Sequence, residues 1–167
     1  MPPPILSVIG KSKSGKTTLL EKLIVGLKRR GFRVATVKHH SHPGFEIDVP
    51  GKDTWRHAQA GSDHVVIAAS DRIASIRKLE RELTLDEIAA EIPQVDIILT
   101  EGFKRAGKPA IEVVRAARGI DLVSDRDQLI ALATDTRLDV DLPQFDLNDP
   151  ERIVDFIEGR FLAKPQG

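Results

Sequence analysis

The chain has 167 residues, enough for one domain spanning 1–167 that buries a core without disulfide or metal staples. Lysine plus arginine and aspartate plus glutamate both number 25, so the net charge is zero, which argues against bulk attraction to nucleic acid or an anionic membrane. Cysteine is absent, which excludes a disulfide framework and thiolate metal sites and suits a reducing cytoplasm, and no apolar run approaches the ~20 residues of a membrane-spanning helix.

The opening MPPPILSVIG lacks the basic segment and long apolar core of a signal peptide. Within it, residues 5–10 (ILSVIG) are short, apolar and glycine-ended, which predicts a buried strand. From Thr17 to Arg30, Leu19, Leu20, Leu23, Ile24 and Leu27 recur at helical spacing, and Gly31 ends the helix. Residues 32–39 (FRVATVKH) alternate and are β-branched, as in a strand. Residues 41–51 carry the proline and glycine of a loop, and 52–61 (KDTWRHAQAG) read as a short helix closed by Gly61. Residues 64–70 and 72–79 flank Asp71 as two strands, joined too tightly for a parallel crossover and therefore antiparallel. The basic stretch SIRKLERELT (75–84) leads into a helix at 84–92, with Thr84 and Glu87 spaced as a capping box. Strands follow at 95–102 (VDIILTEG), 110–116 (AIEVVRA) and 129–134 (LIALAT). A last helix opens on Asp149 as cap with Pro150 at its first position, and the terminal AKPQG is expected to fray. Strands alternating with helices imply an α/β fold of three layers, a mostly parallel sheet covered on both faces with one antiparallel pair. In such sheets ligands bind beyond the C-terminal ends of the strands.

Residues 8–18 read VIGKSKSGKTT. Gly10, Gly15, Lys16 and Thr17 satisfy the phosphate-loop spacing, with a strand before and a helix after, which places the chain among P-loop NTPase-type folds. Backbone N–H groups of such a loop form a nest for an anion, and the helix N-terminus adds its dipole. The nucleotide-binding run comprises Gly10, Lys11, Ser12, Lys13, Ser14, Gly15, Lys16, Thr17 and Thr18. Lys16 is expected to reach the β- and γ-phosphates, and the Thr17 hydroxyl to ligate Mg²⁺. Lys11 and Lys13 either touch phosphate or are simply solvated.

A second Mg²⁺ ligand is expected at another strand's exit. In VDIILTEG, Asp96 stands at the entry and Glu101 at the exit, so Glu101 is the candidate, and Asp96 is read as a solvated or capping residue. Asp48, after the second strand, either orients Mg²⁺ water or is an ordinary loop acid. His39, His40 and His42 cluster in KHHSH; they either pack near the γ-phosphate or bind a transition metal, although neighbours on a strand point to opposite faces. Asp135, at the exit of 129–134, is placed to accept hydrogen bonds from guanine, against its other reading as a turn aspartate, and the usual asparagine-lysine-x-aspartate run is absent.

VIGKSKSGKTTLLEKLI, VATVKHHSH, DVPGKDTWRHAQAG and DIILTEGFKRAGKPAIEVVR, covering most of residues 5–116, resemble the molybdopterin-guanine dinucleotide biosynthesis protein B family (MobB). After about residue 117 the match is loose. The resemblance implies a dimeric P-loop GTP-binding protein with weak intrinsic GTPase activity. It implies an accessory role in attaching GMP to molybdopterin, the transfer itself being catalysed by a separate guanylyltransferase. Lys16 and Glu101 would then be the residues of any hydrolysis, with Mg²⁺ held by Thr17, Glu101 and Asp48. His39, His40, Lys104 and Arg105, with the loop at 41–51, are expected to form a pterin- or partner-binding rim, the last two on a glycine-bearing loop expected to be mobile, against their other reading as a solvated basic turn. Two other functions share the phosphate loop: a small-molecule kinase with residues 75–84 as its lid, and a metallochaperone GTPase using the histidines.

Overall fold

The computed structural model describes residues 2–42 and 44–162; the terminal AKPQG lies outside them. The chain forms two compact units, one built from Met1–His39 and Thr84–Gly167, the other from His40–Leu83.

The larger unit is a six-stranded sheet. Its strands are β1 (Ile5–Gly10), β2 (Val34–Lys38), β5 (Ile97–Glu101), β6 (Ala110–Val114), β7 (Leu129–Thr134) and β8 (Gln144–Asp146), and its helices α1 (Lys16–Arg29), α3 (Leu85–Ala90) and α4 (Pro150–Ile157). Spatial order is β2-β5-β1-β6-β7-β8, and every pairing is parallel. Alternation along the strands divides the core. Leu6 and Val8 of β1, with Ile97, Leu99, Ile111 and Val113, face Leu19, Leu23 and Leu27 of α1 and Ile153 and Ile157 of α4. Ile5 and Ile98 face Leu85 and Ala89 of α3, while Ile9, Val114 and Leu132 pack under Leu138. The capping box forms as the sequence predicts: Glu87 donates its N–H to the Thr84 hydroxyl at 3.2 Å, and the Thr84 N–H donates to the Glu87 carboxylate at 2.8 Å. Pro150 occupies the start of α4, although the Asp149 side chain makes no cap bond. The edge strand β8 is the element the sequence did not announce.

The smaller unit holds α2 (Asp53–Gln59) and the hairpin of β3 (His64–Ala68) and β4 (Ile73–Arg77). The two strands are antiparallel, as their tight connection requires, and form a separate two-stranded sheet, with Val65 opposite Ile76 and Ile67 opposite Ala74. Val66, Ile67, Ile73, Ile76 and Leu79 are exposed.

Among the described residues no helix is long and apolar enough to cross a membrane.

Candidate functional site

Chain order reverses around β1, whose neighbours β5 and β6 come later in the sequence, so the carboxyl ends of these strands form the crevice where α/β sheets bind ligands. The phosphate loop leaves β1 at that point. Gly10 adopts φ +151°, and a Cβ there would lie 2.5 Å from the Val113 carbonyl oxygen of β6, so only glycine fits. Gly15, at φ +100°, is the residue before α1 and offers no capping side chain, and no acid occupies the first turn. The helix therefore presents unpartnered N–H groups and its positive end to whatever lies in the loop. Lys13 also takes a left-handed backbone, φ +59°, which helps curl the loop into a nest.

Lys16 folds across this loop. Its ammonium donates to the Gly10 and Lys11 carbonyl oxygens at 3.1 and 2.7 Å. Partial burial lowers its pKa below the ordinary lysine value; the Glu101 carboxylate opposes the shift, and Lys104 and Lys38 add to it. The three lysines and Glu101 thus share one electrostatic neighbourhood at the strand exits.

The Thr17 hydroxyl lies 3.0 Å from each carboxylate oxygen of Glu101, joining groups 84 residues apart in sequence. Glu101 ends β5, in register with Val8 of β1 and with Lys38 of β2, whose ammonium stands 3.8 Å from its Oε1. A hydroxyl and a carboxylate at this separation are a hard-oxygen pair, the donor type that suits Mg²⁺. At the other end of the same strand, the Asp96 carboxylate accepts from the Arg33 backbone N–H at 2.6 Å and from its guanidinium at 3.0 and 3.3 Å. These bonds hold the Asp96 pKa below the usual carboxylate range. Asp96 is a strand-entry clamp, away from the phosphate loop.

Asp135 follows β7. Its carboxylate accepts the Ala116 N–H at 2.8 Å and lies 3.8 Å from the Arg115 guanidinium. Arg115 in turn donates from Nε to the Ser14 carbonyl oxygen of the phosphate loop at 3.2 Å. Sequence reasoning did not single out Arg115, Lys38 or Asp121. Asp121 lies 3.6 Å from the Lys11 ammonium, so Lys11 reaches the loop after β6. Ser12, Lys13 and Thr18 are exposed, whereas Ser14 is buried with its hydroxyl oxygen lacking a partner.

Directly after β2, His39 donates its N–H to the Glu101 carbonyl oxygen at 2.9 Å and packs its ring 4.9 Å from that of Phe103. Lys104 and Arg105 are exposed. Part-buried Phe103 packs against the core cluster that holds Ile5 and Leu85, Gln128 donates to the Lys104 carbonyl oxygen at 2.6 Å, and Lys108 pairs with Asp86 at 2.6 Å. In the smaller unit, His40 Nδ1 lies 3.0 Å from the His42 carbonyl oxygen, and Asp48 accepts the neighbouring Val49 N–H at 2.8 Å. Among the described residues no three histidine, cysteine, aspartate or glutamate side chains gather as a metal ion would require.

Residues 5–135 match the family described as molybdopterin guanine dinucleotide synthesis protein B. A molybdopterin-guanine dinucleotide biosynthesis adapter protein of Haemophilus influenzae is 39% identical over 157 residues, covering 93% of this chain and 88% of its own. The protein of the same description from Escherichia coli is 37% identical over 161 residues, covering 92% and 91%. A crystal structure of a molybdopterin-guanine biosynthesis protein B superposes with TM-score 0.73 at 34% identity, covering 93% of this chain and 98% of that one. That of Bacillus subtilis MobB superposes with TM-score 0.76 at 25% identity, covering 96% and 99%.

Proposed function

The chain belongs to the molybdopterin guanine dinucleotide synthesis protein B family, and from that premise we propose that it is a GTP-binding accessory protein that assists the attachment of GMP to molybdopterin. The observation that carries the nucleotide half of this reading is the convergence of Lys16, Thr17 and Glu101 at one end of the sheet, with the Thr17 hydroxyl 3.0 Å from the Glu101 carboxylate. The loop's N–H groups receive the phosphates. Lys16 exchanges its two carbonyl partners for phosphate oxygens. Thr17 and Glu101 would hold Mg²⁺, which would supply neutralising charge to the phosphates. Guanine preference is assigned to the β7 exit at Asp135.

Transfer of GMP belongs to a separate guanylyltransferase. Hydrolysis by this protein alone is slow, because phosphoryl transfer in P-loop proteins gains ~10³–10⁵ from an arginine at the transferred group, and the exposed Arg105 is not fixed there. His39, Lys104 and Arg105 form the rim for pterin or transferase. A second copy of this chain is assigned to the hairpin β3–β4. A two-stranded ribbon is marginal alone, and an identical ribbon supplies both a pairing edge and apolar surface to cover Val66 and Ile73, which share one face and are 48% and 71% exposed.

The test is GTP turnover with and without guanylyltransferase and molybdopterin, in wild type and in a Lys104→Ala, Arg105→Ala double variant. Slow turnover alone and weakened capture of the transferase or pterin by the double variant are expected. Fast turnover by the isolated protein would overturn the accessory role, and intact capture of both would remove the rim.

A further inference from the structure

Arg115, the residue directly after β6, reaches both the phosphate loop and the exit of β7. Its Nε donates to the Ser14 carbonyl oxygen at 3.2 Å. Its Nη2 sits beside Gly15, where a Cβ would stand only 3.1 Å away. Its Nη1 lies 3.8 Å from Asp135 Oδ2 at the β7 exit, and Asp135 Oδ1 accepts the N–H of Ala116, the next residue along. A planar guanidinium with donors in a fixed fork can hold a carbonyl and a carboxylate together; an ammonium on a flexible stem cannot hold both in one geometry.

The position of the Ser14 carbonyl decides what the loop offers a ligand. Across a trans peptide the C=O and the following N–H point in opposite directions. Holding the Ser14 carbonyl outward, against Arg115, therefore turns the Gly15 N–H the other way, toward the nest. Gly15 has φ +100°, a conformation glycine visits at little cost but also leaves easily, so the orientation of this peptide is not secured by local backbone preference. Nor does a side chain secure it from within: the buried Ser14 hydroxyl oxygen has no partner. The bond from Arg115 supplies what the loop's own sequence does not.

We propose that Arg115 is the positioning residue of the phosphate loop, aiming the Gly15 N–H at the bound anion, and that Asp135 serves the loop in turn by orienting Arg115. Asp135 then has a phosphate-side role besides any contact with the base, and the β7 exit and the phosphate loop are coupled through one guanidinium. The inference rests on the reading of the loop as a nucleotide site.

The experiment titrates wild type, Arg115→Ala, Arg115→Lys and Asp135→Asn, each with Mg²⁺, against GTP, ATP and inorganic tripolyphosphate, which has no base. Thermal unfolding checks each variant's fold, and hydrogen exchange follows the Gly15 amide without ligand. Arg115→Ala should weaken all three ligands by a similar factor, about tenfold, the scale of one hydrogen bond involving a charged group, and should speed exchange at Gly15. Arg115→Lys should recover little of this. Asp135→Asn should weaken tripolyphosphate as well as the nucleotides. Undiminished tripolyphosphate affinity in a folded Arg115→Ala protein would overturn the proposal. Loss of GTP affinity alone in Asp135→Asn would overturn its second half. A wild-type protein that binds none of the three would instead overturn the nucleotide reading beneath it.

Discussion

Replacing Lys16 by alanine separates the loop's stability from its affinity. Without ligand the Lys16 ammonium makes two bonds, to the Gly10 and Lys11 carbonyl oxygens. Each is worth about 1 kcal/mol net; Gly10 is buried at the end of β1, but Lys11 is part-exposed and water can replace the donor there. The substitution also relieves the desolvation that lowers the lysine's pKa. These effects oppose one another, and the free variant should unfold within about 1 kcal/mol of wild type. With Mg²⁺ and GTP nothing opposes the loss. Each charge-assisted phosphate bond is worth ~1.5–3 kcal/mol, so losing one should raise Kd about 10- to 150-fold. Calorimetric titration reads the affinity and thermal unfolding the stability. Unchanged affinity in a folded variant would refute the assignment of Lys16, and loss of the fold would refute the cancellation. The lowered pKa adds a pH signature. Between the folded-state pKa and the ordinary lysine value the unfolded chain holds a proton that the folded one has released, so this group's contribution to stability rises with pH. Anion affinity should fall over the same window as Lys16 loses its charge. Lys16→Ala should show neither trend.

Glu101→Gln should weaken Mg²⁺-dependent GTP binding and turnover more than Mg²⁺-free binding, because the amide is a poorer cation ligand while the phosphate nest is untouched; equal loss in EDTA would count against a metal role. Asp96→Asn should lower the thermal midpoint and leave Kd unchanged. The Asp96 pKa is depressed by Arg33, so its contribution to stability is present at neutral pH and fades as pH falls through the folded-state value, a fading the asparagine variant should lack. Should Asp96→Asn impair Mg²⁺-dependent binding more than Glu101→Gln, the strand-direction argument fails. The protein should prefer GTP over ATP, with Asp135→Asn eroding the preference; equal wild-type affinities in competition titration would refute it.

What was legible in the sequence was local. The phosphate loop, the Thr84–Glu87 box and the Pro150 helix start are patterns whose parts lie within eight residues of each other; the loop stands between a strand and a helix, the box forms, and the last helix starts at Pro150 without a cap bond from Asp149. Strand direction extended that reach. Because β5 runs parallel to β1, Glu101 and not Asp96 had to stand beside Thr17, and the 3.0 Å contact agrees. The edge strand β8 was not legible because three residues carry no periodicity; only its register with Leu132 to Thr134 makes it a strand. The loop after Glu101 read as mobile from its glycines; what the sequence could not show is that its Phe103 packs against a core that includes Ile5 and Leu85, far away in sequence.

Arg115 was missed for a different reason. It is separated from Ser14 by 101 residues and belongs to no short motif, but the rule that selected Glu101 and Asp135 applies to it equally. Applied to the five longer strands of the central sheet in turn, that rule names Gly10 at the end of β1, Lys38 at the end of β2, Glu101 at the end of β5, Arg115 after β6 and Asp135 after β7. Four of these five carry charge, and each charged one lies within 4 Å of another exit residue. A parallel sheet brings all its exits to one edge, so residues with no pattern in sequence become neighbours by topology alone. The charge at such an edge is therefore better read strand by strand, from the residues at and just past the end of each, than by motif.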